Sequence, residues 1–294
     1  ESDTGSTTRL AEHLPLTTDV PNPSPKTSQR NAIARTGELG IFKLETTPCL
    51  NQTDFVQATR EVAKLVVGVA AGDMIEKRFV PKALGSGIII TKTGFVLAHY
   101  HTVSEFDVIR VRLPSGKVMA AEWMGEDRLS DIVLLKISGA HYPEPRLSSA
   151  DALSMGQWVV SLGSPLGLQQ SVSSGIVSAK NRPYPAPGDL RLVRFVQSDV
   201  VIHPGSSGGP LIDACGRIVA MNSAILGAGM SFSVRIDEAL LVAEKLYSDG
   251  EFDRGFVGIV LKHPNDHVTR GLPIIQNVVK NGPADRAGLK PGDQ

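Results

Sequence analysis

The stretch His203-Pro204-Gly205-Ser206-Ser207-Gly208-Gly209-Pro210-Leu211 constrains this chain most. Three glycines and two prolines around a serine pair define a tight loop whose shape is set by backbone rather than by side-chain bulk. Leu211-Ile212 and the apolar run 217–221 flank Asp213-Ala214-Cys215-Gly216, which predicts a β-hairpin directly after the loop. Nucleophilic acyl transfer needs a hydroxyl exposed at such a rigid sheet end, with neighbouring N–H groups aimed at a developing oxyanion. Taken alone, the motif is equally that of an ordinary glycine-rich turn.

A serine nucleophile needs a base, and the base needs an orienting carboxylate. Upstream, 85–90 and 94–98 read as a β-hairpin running into His99-Tyr100-His101-Thr102-Val103. Thirty residues after His101, Ser130-Asp131-Ile132-Val133-Leu134-Leu135 is a strand opening on an aspartate, and Ser207 follows seventy-six residues later. A histidine beside a strand is commonly a satisfied polar residue, and an aspartate opening a strand is commonly a turn former. All three, in the order of chymotrypsin-type double β-barrels and each at a strand–loop junction, point instead to catalysis.

Six segments carry a resemblance to the HtrA/Deg family of serine proteases. They are Gly85-Ser86-Gly87-Ile88-Ile89-Ile90, Ala98-His99-Tyr100-His101-Thr102-Val103, Ser130-Asp131-Ile132-Val133-Leu134-Leu135, the run 161–168, the run 173–178, and Gly205-Ser206-Ser207-Gly208-Gly209-Pro210. The resemblance runs from about residue 55 to the end of the chain. It implies a mainly β, chymotrypsin-like double six-stranded β-barrel followed by the start of a PDZ domain. It implies Ser207 as nucleophile, since in G-x-S-G-G the serine directly before the glycine pair holds the family position and Ser206 the variable one. It implies His101 as general base, with His99 its rival two residues earlier, and Asp131 as the carboxylate that orients the base. The backbone N–H groups of Gly205 and Ser207 would form the oxyanion hole. Glu126 and Asp127 are nearby carboxylates that read as solvated turn residues.

The substrate pocket is expected from Val201 and Ile202 before the nucleophile loop and from Asn222, Ser223 and Ala224 after the next strand. Val201 and Ile202 place no charge at its base, which favours a small or medium aliphatic residue before the scissile bond. His203 is read as bracing the loop. In the family, loops corresponding to 163–170, 181–192 and 224–231 control whether the site is formed, and the proline-rich 181–189 suits a regulatory loop.

Three domains are expected. Residues 1–53, rich in Ser, Thr, Pro and Asn, read as a flexible tail or linker, because such a stretch buries too little apolar surface to offset its ordering entropy. Residues 54–250 form the protease domain. Its many short apolar runs between Gly, Pro, Ser and Asp signal an antiparallel barrel rather than βα units. A helix near its start precedes a strand at 64–69, and an amphipathic helix at 236–248, presenting Ile236, Leu240, Leu241, Ala243 and Leu246, closes it. Residues 251–294 are the partial PDZ domain, with Gly255-Phe256-Val257-Gly258 resembling the loop that clasps a peptide C-terminus. The helix forming the other wall of that groove is expected beyond residue 294.

With 294 residues, 41% hydrophobic, the chain can bury one large or two medium cores, and its formal net charge of zero offers no basic stripe for nucleic acid. No apolar run approaches a membrane span, so membrane association is not indicated. Cys49 and Cys215 form no metal-ligand cluster, and either a bridge or two free thiols fits them. No cofactor and no metal are expected. The chain opens Glu1-Ser2-Asp3 without a signal peptide, as a processed exported protein would, so a periplasmic or otherwise exported location is expected, an organelle lumen being the variant. The resemblance implies unfolded polypeptide substrates, peptide C-termini bound by the PDZ segment, and a homotrimer or a multiple of it. Phe55 would either hold that trimer or sit in the core. Two other classes stay open: a chaperone-like binding protein whose protease site is rarely assembled, and a chymotrypsin-fold protease of another family in which His203 reads a carboxylate.

Overall fold

The computed structural model describes residues 42–49, 55–139, 141–164, 170–183, 192–225, 229–261 and 274–294. It divides into two compact units, Glu1–Phe252 and Asp253–Gln294. In chain order the first unit contains β1 (Leu44–Glu45), α1 (Phe55–Ala63), β2 (Val66–Ile75), β3 (Arg78–Ile89), β4 (Phe95–His99), α2 (Tyr100–Val103), β5 (Val108–Arg112), β6 (Val118–Asp127) and β7 (Ile132–Ile137). It continues with β8 (Leu147–Ser148), β9 (Trp158–Gly163), β10 (Ser171–Arg182), β11 (Phe195–Ser198), β12 (Pro210–Asp213), β13 (Ile218–Ile225), β14 (Ser231–Arg235) and α3 (Ile236–Ser248).

Two six-stranded barrels result. The first closes in the order β2-β3-β4-β7-β6-β5, its last strand pairing back onto β2. The second runs β9-β10-β11-β14-β13-β12 and closes where β12 meets β9. The expected double barrel is thus the observed one. Closure removes the free edges that an open sheet of this length would expose. Their interiors are filled by Val, Ile and Leu, for example Ile88, Leu97, Ile132 and Leu134 in the first barrel and Val159, Val196, Leu211 and Val219 in the second, all fully buried.

The closing helix α3 has the expected bounds. It buries Ile236, Ala239, Leu240, Val242, Ala243 and Leu246, and Tyr247 meets Phe95 edge to face at 5.2 Å. Leu241, expected on the inner face, is exposed, and Val242 takes its place. Asp237 and Glu238 in its first turn suit the helix dipole. Near the start of the unit, α1 is followed by β2, which runs ten residues and so extends well past the expected strand. Phe55 packs edge-on to Trp158 at 6.4 Å, partly buried against the core.

The flexible-tail reading of 1–53 needs correction at its C-terminal end. Leu44 and Glu45 pair in parallel with Leu147 and Ser148 of β8, which in turn joins β13. Cys49 is disulfide-bonded to Cys215 in the β12–β13 turn, which settles the choice between a bridge and free thiols. The Glu45 carboxylate adds charged contacts to Arg146 at 3.0 Å and to buried Arg217 at 3.2 Å. Non-local pairing, a covalent bond and an ion-pair cluster together order a segment whose own composition would not.

The second unit contains β15 (Ile259–Leu261), β16 (Ile275–Val278) and α4 (Pro283–Arg286), with β15 and β16 antiparallel. Gly258 sits at φ 81° before β15, its carbonyl accepting from Val279 N, while Val257 O accepts from Ala284 N. Phe256 and Val257 are exposed.

Candidate active site

The site forms where the ends of β4 and β7 in the first barrel meet the 203–209 loop of the second. At the end of β4 the chain turns into α2, a single helical turn, and this carries His101 on a half-exposed surface. Asp131 lies in the turn between β6 and β7, buried, with a left-handed φ of 58° that Asp tolerates better than most residues. Its carbonyl is held by Tyr100 N at 3.1 Å. Asp127, expected to be solvated, is buried instead, because its carboxylate accepts from Ser130 N at 3.0 Å and closes that turn.

The Asp131 carboxylate grips the His101 segment at two points. Oδ1 accepts from the His101 backbone N–H at 2.9 Å, and Oδ2 faces His101 Nδ1 at 2.7 Å. A backbone donor and a ring donor on one carboxylate fix the side chain as well as its main chain. This pairing places the proton of a neutral His101 on Nδ1 and leaves Nε2 as the basic nitrogen. Burial opposes ionisation of Asp131, but the charge of His99, then the His101 and His99 hydrogen bonds, override it and hold the carboxyl far below its ordinary range. The donor atoms of His99, His101 and Asp131 lie within 4.8 Å of one another, spent on each other as a charge network.

The nucleophile loop begins with a turn. Ser206 N donates to His203 O at 2.8 Å, with Pro204 at the second position and Gly205 at the third with φ 88°, the residue pattern of a type II turn. Ser86 of β3 then clamps the loop from the first barrel. Its N–H donates to Ser207 O at 2.8 Å and its hydroxyl to Gly205 O at 2.7 Å, while Ser164 N donates to that same hydroxyl. From β13, Asn222 O accepts from Gly208 N at 2.8 Å. Gly208 has φ 90°, and a Cβ there would lie 2.1 Å from Ser86 O, so only glycine fits. The amides of Gly205 and Ser207, expected to form the oxyanion hole, are not spent on a protein acceptor among the described residues. The Ser207 hydroxyl donates to Ser223 O at 3.0 Å.

The other sequence-derived candidates are distributed as follows. Val201 is exposed beside the loop, its carbonyl held by the Ser173 hydroxyl, and Ala224 is partly exposed on β13. Ile202 differs from the pocket reading and is buried in the second barrel's core with Val200 and Val196. Asn222 also differs. Its amide is buried and donates to Ser161 Oγ and Leu162 O, so it ties β13 to β9 rather than lining a pocket. At Ile202, in a loop that leaves regular strand geometry, alternation cannot separate pocket from core. His203 is exposed. Of the three loops expected to regulate the site, 163–170 and 181–192 fall largely outside the described residues, at 165–169 and 184–191, and 224–231 does so at 226–228. Sequence reasoning missed Ser86, whose only signal was its place between two glycines.

Comparison with known proteins agrees with this geometry. A family model described as a trypsin-like peptidase domain matches residues 85–221. A probable periplasmic serine endoprotease, DegP-like, of Ectopseudomonas mendocina (strain ymp) is 40% identical over 224 residues, 72% of this chain and 47% of the relative. One of Pseudomonas fulva (strain 12-X) with the same description is 35% identical over 93% of this chain and 58% of its own length. The chain thus spans about half the length of the curated relatives it matches. Among solved structures, the HtrA-type protease AlgW with tripeptide is 30% identical at a TM-score of 0.73, with 82% of this chain and 81% of that one covered. This chain belongs to the HtrA/Deg family of trypsin-like serine proteases.

Proposed function

We propose that this protein is a serine endopeptidase that cleaves unfolded or damaged polypeptides through an acyl-enzyme. The observation that carries the reading is the two-point grip of Asp131 on His101, beside a loop clamped with Ser207 at its bend. In this reaction His101 Nε2 takes the proton of the Ser207 hydroxyl as its oxygen attacks the scissile carbonyl. The Ser207 O–C bond forms and the carbonyl π electrons move to oxygen, where the amides of Gly205 and Ser207 receive the charge. The imidazolium, steadied by Asp131, then protonates the leaving amine as the C–N bond breaks. Water repeats the sequence to release the acid. Removal of one oxyanion donor typically costs about 2.7–4 kcal/mol in the barrier.

Solved HtrA-type relatives are described with a decapeptide and with a tripeptide, which supports peptide substrates here. Relatives named periplasmic, together with the Cys49–Cys215 disulfide, support an oxidising, periplasmic location. Residues 1–53, 54–250 and 251–294 are read as an N-terminal linker anchored at 44–49, the protease domain and the start of a PDZ domain. The Gly255–Gly258 loop, exposed at Phe256 and Val257, would receive free peptide C-termini and so raise protease activity, and subunits would assemble as a homotrimer or a multiple of it. Profiling the products from a denatured protein library, with Ser207→Ala as control, tests this reading. Cleavage after Val, Ala or Ile supports it, cleavage after Glu supports carboxylate reading by His203, and no cleavage supports a chaperone-like protein.

A further inference from the structure

Beside the proposed triad lies a buried histidine to which that reaction gives no part. His99 ends β4 and is fully buried. Its Nδ1 lies 2.9 Å from Asp131 O and 3.2 Å from Asp131 Oδ2, and its Nε2 lies 2.8 Å from Asn222 O. All three neighbours are acceptors, and two are main-chain carbonyls whose identity no side-chain flip can exchange. Either neutral tautomer would turn a lone pair against a carbonyl oxygen in a fully buried site. Only the doubly protonated ring donates at both ends. Rotating the ring by half a turn would exchange nitrogens for carbons and lose both hydrogen bonds.

A bare buried cation would be costly, and this one has its counter-ion in place. Burial pushes the His99 imidazole down, while the charge of Asp131 and then its hydrogen bonds push it up, leaving it above the ordinary imidazole value. The titratable groups facing the ring are Asp131, from the β6–β7 turn, and His101, from α2, whose ring stacks on it at 5.3 Å and 21°. Among the described residues β13 contributes the neutral carbonyl of Asn222. In the same turn Asp127 is engaged by Ser130 and Arg128 by Glu126.

We propose that His99 is a positioning residue of the triad, a buried imidazolium that pairs with Asp131 through Nδ1 and holds the Asn222 carbonyl through Nε2. That carbonyl also accepts Gly208 N, next to Ser207, so one ring links the acid in the first barrel to the nucleophile loop of the second. The inference rests on the triad reading and adds an electrostatic consequence to it. Asp131 then neutralises a resident cation before His101 takes a proton, and a protonated His101 stands beside a like charge.

The test uses the full chain with 15N-labelled histidine. Two-bond N–H correlations at pH 7.5 should show one histidine with both ring nitrogens protonated and slow to exchange, absent in His99→Asn. Among the described residues the other histidines, His101, His141 and His203, are exposed, and through-bond assignment of the seven histidine rings identifies His99 in the native spectrum even where the variant does not fold. In folded His99→Asn, kcat should fall about tenfold or more while KM changes little, because the ring that holds both Asp131 and the Asn222 carbonyl is gone. A His99 spectrum with a single protonated nitrogen, or an unchanged kcat in folded His99→Asn, overturns the proposal. The spectrum does not depend on which serine attacks, so failure of the Ser207 assignment and failure of this one give different results.

Discussion

The hydroxyl of Ser207 donates to the carbonyl oxygen of Ser223 at 3.0 Å, and among the described residues not to the ring of His101. The proton that the proposed reaction would move thus rests on a main-chain acceptor of β13. Catalytic hydrogen bonds are often long or absent in a free enzyme and tighten when substrate binds. A substrate strand that offers its own N–H to Ser223 O would displace the hydroxyl and release it to His101. Ser207→Ala, His101→Ala and Asp131→Asn should each lower kcat by several powers of ten, and the double variants should be little worse than the singles. Ser206→Ala should keep the greater part of the activity. Steady-state kinetics on a peptide reporter check this, and an active Ser207→Ala beside an inactive Ser206→Ala would reverse the nucleophile assignment.

Ser86 is the next residue to change. Its hydroxyl serves Gly205 O and Ser164 N at once, so Ser86→Ala leaves a part-buried carbonyl and amide without their partner. A loss of about 1–3 kcal/mol in stability is expected from the unmade bonds. The fall in kcat should exceed the change in KM, because the loop that positions the oxyanion donors loosens. Urea denaturation and kinetics on the same sample separate the two effects, and unchanged kcat in a destabilised variant would leave Ser86 a purely structural residue.

How much of this was legible without coordinates depended on sequence distance. The barrels were readable because short apolar runs and turn formers are local signals, and α3 because its apolar spacing is. The order of His101, Asp131 and Ser207 was readable, and of the three the structure joins His101 and Asp131 directly. The anchor at Leu44 and Glu45 was not, since its partners Leu147 and Ser148 lie about a hundred residues away and nothing nearby announces a parallel pairing. His99 could be read only as a rival base. Its partners Asp131 and Asn222 stand 32 and 123 residues along the chain, and the choice of charge state needs both.

The His99–Asp131 pair predicts a stability profile whose sign follows from the two shifts. His99 is raised, so its share is complete below the unfolded imidazole value of about 6.5 and is lost as pH rises through the folded value. Asp131 is lowered, so its share is present above the unfolded carboxyl value of about 3.9 and is lost as pH falls through the folded one. Both act together between about pH 4 and 6.5. The stability difference between the native chain and His99→Asn, measured by urea denaturation, should therefore be widest near pH 5–6 and narrow toward pH 9. A gap that widens with rising pH would contradict the pairing.

Reduction of the Cys49–Cys215 bridge should destabilise the first unit. The bridge closes a loop with a sequence separation of 166. Chain entropy sets its contribution at about 5 kcal/mol at most, and 2–4 kcal/mol is typical of such bridges. Thermal denaturation with and without reductant, repeated on Cys215→Ser, measures it. Equal midpoints would mean that β1 and the Glu45–Arg217 contact hold the segment without the bond.

The most direct measurement is covalent. The native chain, incubated at pH 8 with a fluorophosphonate serine-protease probe and digested, should carry the probe's mass on the Ser207 peptide, at the Ser207 oxygen. His101→Ala, with no base for the hydroxyl, should label far more slowly, and Ser207→Ala not at all. Probe on Ser206 or on no serine, in a chain shown to be folded, would contradict a nucleophilic Ser207 served by His101 and Asp131.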